Sequence, residues 1–214
     1  MNNKGTSISS QGPTYALEQQ LDGIICGVDE VGRGPWAGPV LTAAVILNPD
    51  NIPVGLNDSK KLTAKKRETL YPLIMETAHV GFGEASVEEI DQHNILQATL
   101  MAMARAVENL EIKPDHALVD GNRAPKLICP VTCVKKGDSL SLSIAAASIV
   151  AKVKRDFLMA KLGEIYPEYG WAKNAGYGTA HHQKALSLVG PSRFHRKSFA
   201  PISKLITQGI PIRY

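Results

Sequence analysis

Between Tyr169 and Tyr214 the sequence contains no aspartate and no glutamate, while Lys173, Lys184, Arg193, Arg196, Lys197, Lys204 and Arg213 all fall there. The net charge of the whole chain is only +4, so the remainder is slightly acidic. Such asymmetry points to a polyanionic partner or to a solvated basic face. Cysteine is scarce: Cys26, Cys129 and Cys133 form an odd set with no second pair, which excludes a disulfide framework and a zinc-binding pattern. No apolar run approaches the roughly 18 residues of a membrane span. The opening stretch MNNKGTSISSQGPTYALEQQ has no apolar core of a signal peptide, so a cytoplasmic protein without membrane association is expected. Repeats and low-complexity linkers are also absent, which excludes a solenoid.

What is present reads as one α/β unit of a size that buries a substantial core. Apolar runs at 23–28, 38–47, 79–85, 116–121 and 130–134 fit strands. Thr63 opens a helical stretch that Pro72 threatens to interrupt, and Ser86 with Glu89 forms a capping box ahead of a pattern that continues in pieces to about Leu110. Further helices are expected at about 140–162 and 179–189, with a turn of helix at 202–207. In the long one, Leu142, Ala145, Ile149 and Val153 recur at helical spacing, and small residues between them favour close seating on a sheet. A run of strands followed by strands alternating with helices fits a mixed sheet covered by helices, with a helical appendage.

Four acids stand where acids are awkward. Asp29 and Glu30 close the first apolar run, in CGVDEVGRGPWAGPV; Asp120 closes HALVDG; Asp138 follows VKKG ahead of the long helix. Loops at strand ends gather functional groups in such sheets. Asp138 has a purely structural alternative as a helix N-terminal group, and Asp120 as an Asx-turn. The adjacent pair Asp29–Glu30 is harder to explain structurally: neighbours in a strand point to opposite faces, and both reach one site only where the strand loses its pleat, a break that Gly32 and Gly34 provide. Several carboxylates with no histidine or cysteine ligand pattern favour Mg²⁺ or Mn²⁺, and clustered carboxylates holding two such ions are a device for hydrolysing phosphodiesters.

The stretches GVDEVGRGPWAGPV, LNDSKKLT, LVDGN, VKKGD, SIAAASIVAKVKRD, GYGTAHH and FHRKSFAP, in this order over about 24–202, resemble bacterial ribonuclease HII. The resemblance implies a ribonuclease H-like fold, two divalent ions (Mn²⁺ or Mg²⁺), and cleavage of RNA in RNA–DNA hybrids. It also implies cutting 5′ to a single ribonucleotide embedded in duplex DNA. The partners are then hybrid and ribonucleotide-containing duplexes, met by a monomer. The acids carried over as catalytic and metal-binding are Asp29, Glu30, Asp120 and Asp138. Asp156 competes for the fourth place, but it lies roughly 27 Å along a straight helix from Asp138 at about 1.5 Å per residue. Gly32, Arg33 and Gly34 correspond to the segment that senses the ribose 2′-hydroxyl, and Tyr177 to a tyrosine that meets the neighbouring sugar. Lys60 matches a phosphate contact. Arg193, Arg196 and Lys197 are expected on DNA phosphates, with Phe194 and Phe199 as anchors. His182 matches a recurrent family position with no role assigned. On this reading residues 1–20 are a flexible tail, 21–189 the catalytic domain and 190–214 a basic appendage. The rival readings are another ribonuclease H-like nuclease and an inactive nucleic-acid-binding module.

Overall fold

The computed structural model describes residues 12–213. The first eleven residues of the expected tail lie outside them. Residues 12–20 are tied into the fold: Thr14 bridges to Ser141, and a 3₁₀ turn at Glu18–Gln20 buries the Glu18 side chain.

Five strands form one sheet: β1 (Ile25–Val31), β2 (Val40–Leu47), β3 (Ala78–Ala85), β4 (His116–Asp120) and β5 (Val131–Val134), in the order β3-β2-β1-β4-β5. β1, β2 and β3 pair antiparallel; β4 and β5 join parallel to β1 and to each other. The helices are α1 (Ala64–Thr77), α2 (Val87–Glu108), α3 (Leu142–Ile165), α4 (Trp171–Asn174), α5 (Ala180–Val189) and α6 (Ala200–Thr207). Alternation along the strands sorts the core into two layers. Cys26, Val28, Ala44, Ile46, Ala117 and Val119 face Met103, Ala106 and Val107 of α2. Leu41, Ala43, Val45 and Leu47 face the other way, onto Ala145 to Ala147, Ile149 and Val150 of α3, with Leu70 and Ile74 of α1.

The run of small residues in α3 has a specific use. A Cβ on Gly27 would collide with the backbone of Ser143 and Ile144, so the first turn of α3 lies directly on β1. Ser141 caps that turn through Ile144 N–H. α1 continues through Pro72 without a break. α2 does change direction at Asn94 (φ +65°), whose side-chain oxygen recaps the helix on the N–H groups of Leu96 and Gln97. A further cluster joins Tyr169, Trp171, Ala185, Leu186 and Ile202 to Ala37 and to Met159 of α3. It draws on residues from both sides of position 190.

Candidate active site

The last paired residues of β1 and β4 are Val28 and Val119, so Asp29 and Asp120 follow side by side. Both fall on the α3 face of the sheet, in line with Gly27 and Leu118. Glu30, one residue on, belongs to the opposite face by alternation. Both acids still lie within β1, whose pairing to β2 runs on to Val31, whereas the sequence suggests that they close the strand. Asp29 is 6% exposed, and its Oδ1 accepts from Glu30 N–H at 2.7 Å. Asp120 accepts from Gly137 N–H at 2.7 Å, a bond across seventeen residues and not an Asx-turn. That bond draws the 3₁₀ turn Gly137–Ser139, and Asp138 with it, to the end of β4.

Asp138 is 8% exposed and does not cap α3. Ser141 holds that place, and Glu18 accepts from the hydroxyl of Ser141 and the N–H of Ser143. A fifth acid joins it. Asp58, in the LNDSKKLT loop, lies against Asp138. The loop is fastened to α3 by Ser59 N–H on Ser148 Oγ, and to the 3₁₀ turn by Lys61 Nζ on Ser139 Oγ. Sequence reasoning missed Asp58, because Asn-Asp-Ser before a capped helix reads as a turn. Asp156 is occupied elsewhere, paired with Lys152 at 2.6 Å and Arg67 at 3.9 Å.

The acids repel one another. Burial, then the charges of Glu30, Asp120 and Asp138, hold the Asp29 carboxyl well above the usual range. Burial also lifts Glu30, which Arg33 at 3.6 Å pulls back only in part. Burial and then Asp58 and Asp120 push Asp138 up to about 6. Burial pulls Lys60 down, but Asp29, Asp58, Asp138 and Asp120 outweigh it and raise its pKa. Two flanking cations therefore under-compensate the cluster. Among the described residues no three Asp, Glu, His or Cys side chains converge on one metal-sized point, and Glu30 is turned to Arg33. The donor set nevertheless fits hard divalent cations: it is all oxygen, mutually repelling and short of positive charge.

The Gly32–Gly34 segment leaves β1 beside these acids. Gly32 has φ +92°, and a Cβ there would collide with the Arg155 side chain. Tyr177 is 49% exposed and its ring lies over Gly34, 3.4 Å from where a Cβ would stand. Arg193 and Lys197 are exposed, as a surface contact requires. Phe194 packs beside Trp171, and Phe199 beside Val40 and Ile90. Arg196 requires a correction. It is 0% exposed and donates to the carbonyl oxygens of Gly32, Arg33 and Gly38, so it does not reach a surface phosphate. Arg155, also fully buried, donates to the carbonyls of Ala37, Pro39 and Ala175.

His182 and His195 are buried together, Nε2 to Nε2 at 2.9 Å. Ser192 N–H donates to His195 Nδ1, so His195 carries its proton on Nε2 and donates it to His182, whose Nδ1–H donates to the Tyr177 carbonyl. Trp171 Nε1–H adds a second donor to His182 Nε2 at 3.3 Å. Burial lowers both pKa values, and that of His195 falls to about 3.

A mixed sheet in this strand order, with carboxylates at adjoining strand ends and a helix start lying over them, defines a ribonuclease H-like nuclease. The model of the family described as Ribonuclease HII matches residues 26–202. The ribonuclease HII of Paramagnetospirillum magneticum is 59% identical over 196 residues, covering 90% of this chain and 98% of that protein. The crystal structure of ribonuclease H2 from Pyrococcus horikoshii superposes with a TM-score of 0.74 at 27% identity, over 86% of this chain and 97% of that one. Bst ribonuclease HIII in complex with Mn²⁺ shares the fold, with a TM-score of 0.73 at 20% identity over 96% of this chain and 76% of that one. The chain belongs to the ribonuclease HII family and is an endoribonuclease of the ribonuclease H type.

Proposed function

We propose that this enzyme hydrolyses the RNA strand of RNA–DNA hybrids and cuts duplex DNA on the 5′ side of a single embedded ribonucleotide, leaving 3′-hydroxyl and 5′-phosphate ends. The observation that supports the reading is that Asp29 and Asp120 each follow directly after the last β1–β4 pair, on the face covered by the first turn of α3, with the Gly32–Gly34 turn beginning three residues on from Asp29. Asp29, Glu30, Asp120 and Asp138 would hold two Mg²⁺ or Mn²⁺ ions, with Asp58 at the rim. A related fold binds Mn²⁺. When bound, such ions lower the pKa of water and stabilise charge on the departing oxygen. The protein's own part is positional. The carboxylates, short of positive charge in the metal-free protein, supply the attraction that gathers the ions. Lys60, at the edge of the cluster, takes a backbone phosphate. Gly32 to Gly34 admit the target ribose to backbone distance, and Tyr177 bears on the next sugar. Water oxygen joins phosphorus, the bond from phosphorus to O3′ breaks, and O3′ leaves with a proton. Arg193 and Lys197, in the basic segment 190–214, add sequence-independent affinity. The role is ribonucleotide removal from DNA.

The test is cleavage of duplex DNA bearing one ribonucleotide, with Mg²⁺, with Mn²⁺ and with chelator, followed by mapping of the ends. Cutting 5′ to the ribonucleotide, abolished by chelator, is expected. A cut on its 3′ side, a 2′,3′-cyclic phosphate, or activity in chelator would overturn the reading.

A further inference from the structure

The turn that carries Asp138 does not hold itself. Lys136, the residue before Gly137–Ser139, has φ +57°, a left-handed conformation that a Cβ disfavours. The place of the turn is set from outside. On one side Asp120 accepts from Gly137 N–H, and Lys61 reaches Ser139. On the other side stands the segment 14–21. Thr14 clasps the chain just past the turn: its N–H donates to the Leu140 carbonyl, and its own carbonyl accepts from Leu142 N–H, both at 3.1 Å. Between those two bonds, the Ser141 hydroxyl donates to Glu18 Oε1 at 2.6 Å, and Ser143 N–H donates to the same oxygen at 2.9 Å. Leu17 and Leu21 anchor the segment against Ile25, Leu118 and Ile144.

Glu18 is 2% exposed, and its second oxygen, Oε2, finds no partner among the described residues. Burying a carboxyl that is only half satisfied is costly, and an apolar side chain beside Leu17 and Leu21 would avoid that cost. Glu18 is not needed to cap α3, because Ser141 Oγ already accepts from Ile144 N–H. What remains is its grip on Ser141 and Ser143. Ser141 N–H donates in turn to the Gly137 carbonyl at 2.8 Å. A path of two hydrogen bonds therefore runs from Glu18 through Ser141 to the residue directly before Asp138.

We propose that Glu18 is a positioning residue for the metal site: it fixes Ser141 and Ser143 so that the Gly137–Ser139 turn holds Asp138 at the end of β4, where a divalent ion is taken up. The inference rests on the reading of Asp138 as a metal ligand. Groups that orient ligands in this way set metal affinity by roughly 10- to 100-fold.

Titration of the full chain with Mn²⁺, followed by the electron paramagnetic resonance of the free ion, tests this without substrate or turnover. Glu18→Ala should raise the Mn²⁺ dissociation constant by roughly 10-fold or more. Glu18→Gln keeps the acceptor oxygen and places its amide where Oε2 receives no bond, so its constant should stay within about threefold of wild type. Wild-type affinity in Glu18→Ala overturns the proposal. So does an equal loss in both variants, which would make the charge and not the grip the cause. The second arm needs no variant. By the reciprocity of linked equilibria, an ion that profits from the clasp must tighten it. Mg²⁺ added to the wild-type protein should slow hydrogen exchange at the Leu142 and Ser143 amides by roughly fivefold or more, beyond any change at the β2–β3 amides toward the far edge of the sheet. No such excess overturns the proposal even where Glu18→Ala fails to fold. Asp138→Asn separates the two readings. Unchanged Mn²⁺ affinity in that variant sinks Asp138 as a ligand and the proposal with it. Weakened binding there, beside unchanged affinity in Glu18→Ala, overturns the proposal alone.

Discussion

The molecule buries charge of both signs, and the two regions handle it differently. At the end of β1 and β4, Asp29 and Asp138 are buried among like charges and their carboxyl pKa values are driven up. Under the Gly32–Gly34 loop, Arg155 and Arg196 are buried just as deeply, yet almost every donor meets a carbonyl. The acids lack compensation, which is the condition of a site that takes up cations. The arginines are compensated by the fold itself, which is the condition of a structural clamp. Charge counts along a sequence cannot separate these cases; where the hydrogen bonds go does.

Asp29→Asn presses hardest on the acidic side. It should reduce cleavage by about 10³-fold or more, since several kcal/mol of charge stabilisation depend on the bound cations. In chelator the same variant should melt at a higher temperature than wild type, because one member of a repelling set is gone. Loss of activity together with loss of stability would mean that Asp29 serves the fold. On the basic side, deletion of everything after Val189 should leave no cooperative thermal transition. It removes His195, Arg196 and Ile202, all 0% exposed. A folded, cooperatively melting product would show that the segment is detachable after all.

Much of this was legible in the sequence, for physical reasons. The strands and long helices announce themselves by periodicity and by Ser86–Glu89 and Thr63 caps, which act locally. Asp29 and Glu30 stand out because an acidic pair at the end of an apolar run has few structural uses, whereas Asp120 and Asp138 each have a local structural alternative and join them through the resemblance. Arg196 was misjudged because a basic run reads as surface, and nothing local tells which arginine turns inward. Arg155 did leave a trace: Ser148, Ala151, Arg155 and Met159 recur every three to four residues on the buried stripe of α3. Asp58 and Glu18 left none, since their partners lie 80 and more residues away along the chain.

Acid separates the regions further. His182 and His195 have folded pKa values below the ordinary 6.5, so the unfolded chain binds more protons between about 6.5 and 3 and stability falls as pH falls through that window. Asp138, raised from 3.8 to about 6, has the opposite sign: the folded chain binds more protons between those values, and stability rises as pH falls. In chelator, Asp138→Asn removes the gain and leaves the loss. Its melting temperature should therefore drop more steeply from pH 6 to pH 4 than that of wild type. Parallel curves would show that the carboxylate contributes nothing to the balance.

The smallest effect concerns the exposed half of the basic segment. Arg193 and Lys197 flank the buried His195 and Arg196 and point outward, so they can lose charge without loosening the clamp. Lys197 is attached to Asp91 only through its backbone N–H, which substitution preserves. If each neutralises one phosphate, Arg193→Gln with Lys197→Gln should reduce the slope of log affinity against log salt by up to about 1.8. Melting temperature and the preference for a ribonucleotide over an all-deoxy duplex should hardly change, because phosphate contacts carry no information about the sugar. Affinity measured across a salt series for both duplexes provides the check. An unchanged slope would assign the two side chains to solvent, and an altered ribonucleotide preference would mean that the exposed and buried halves of the segment act together.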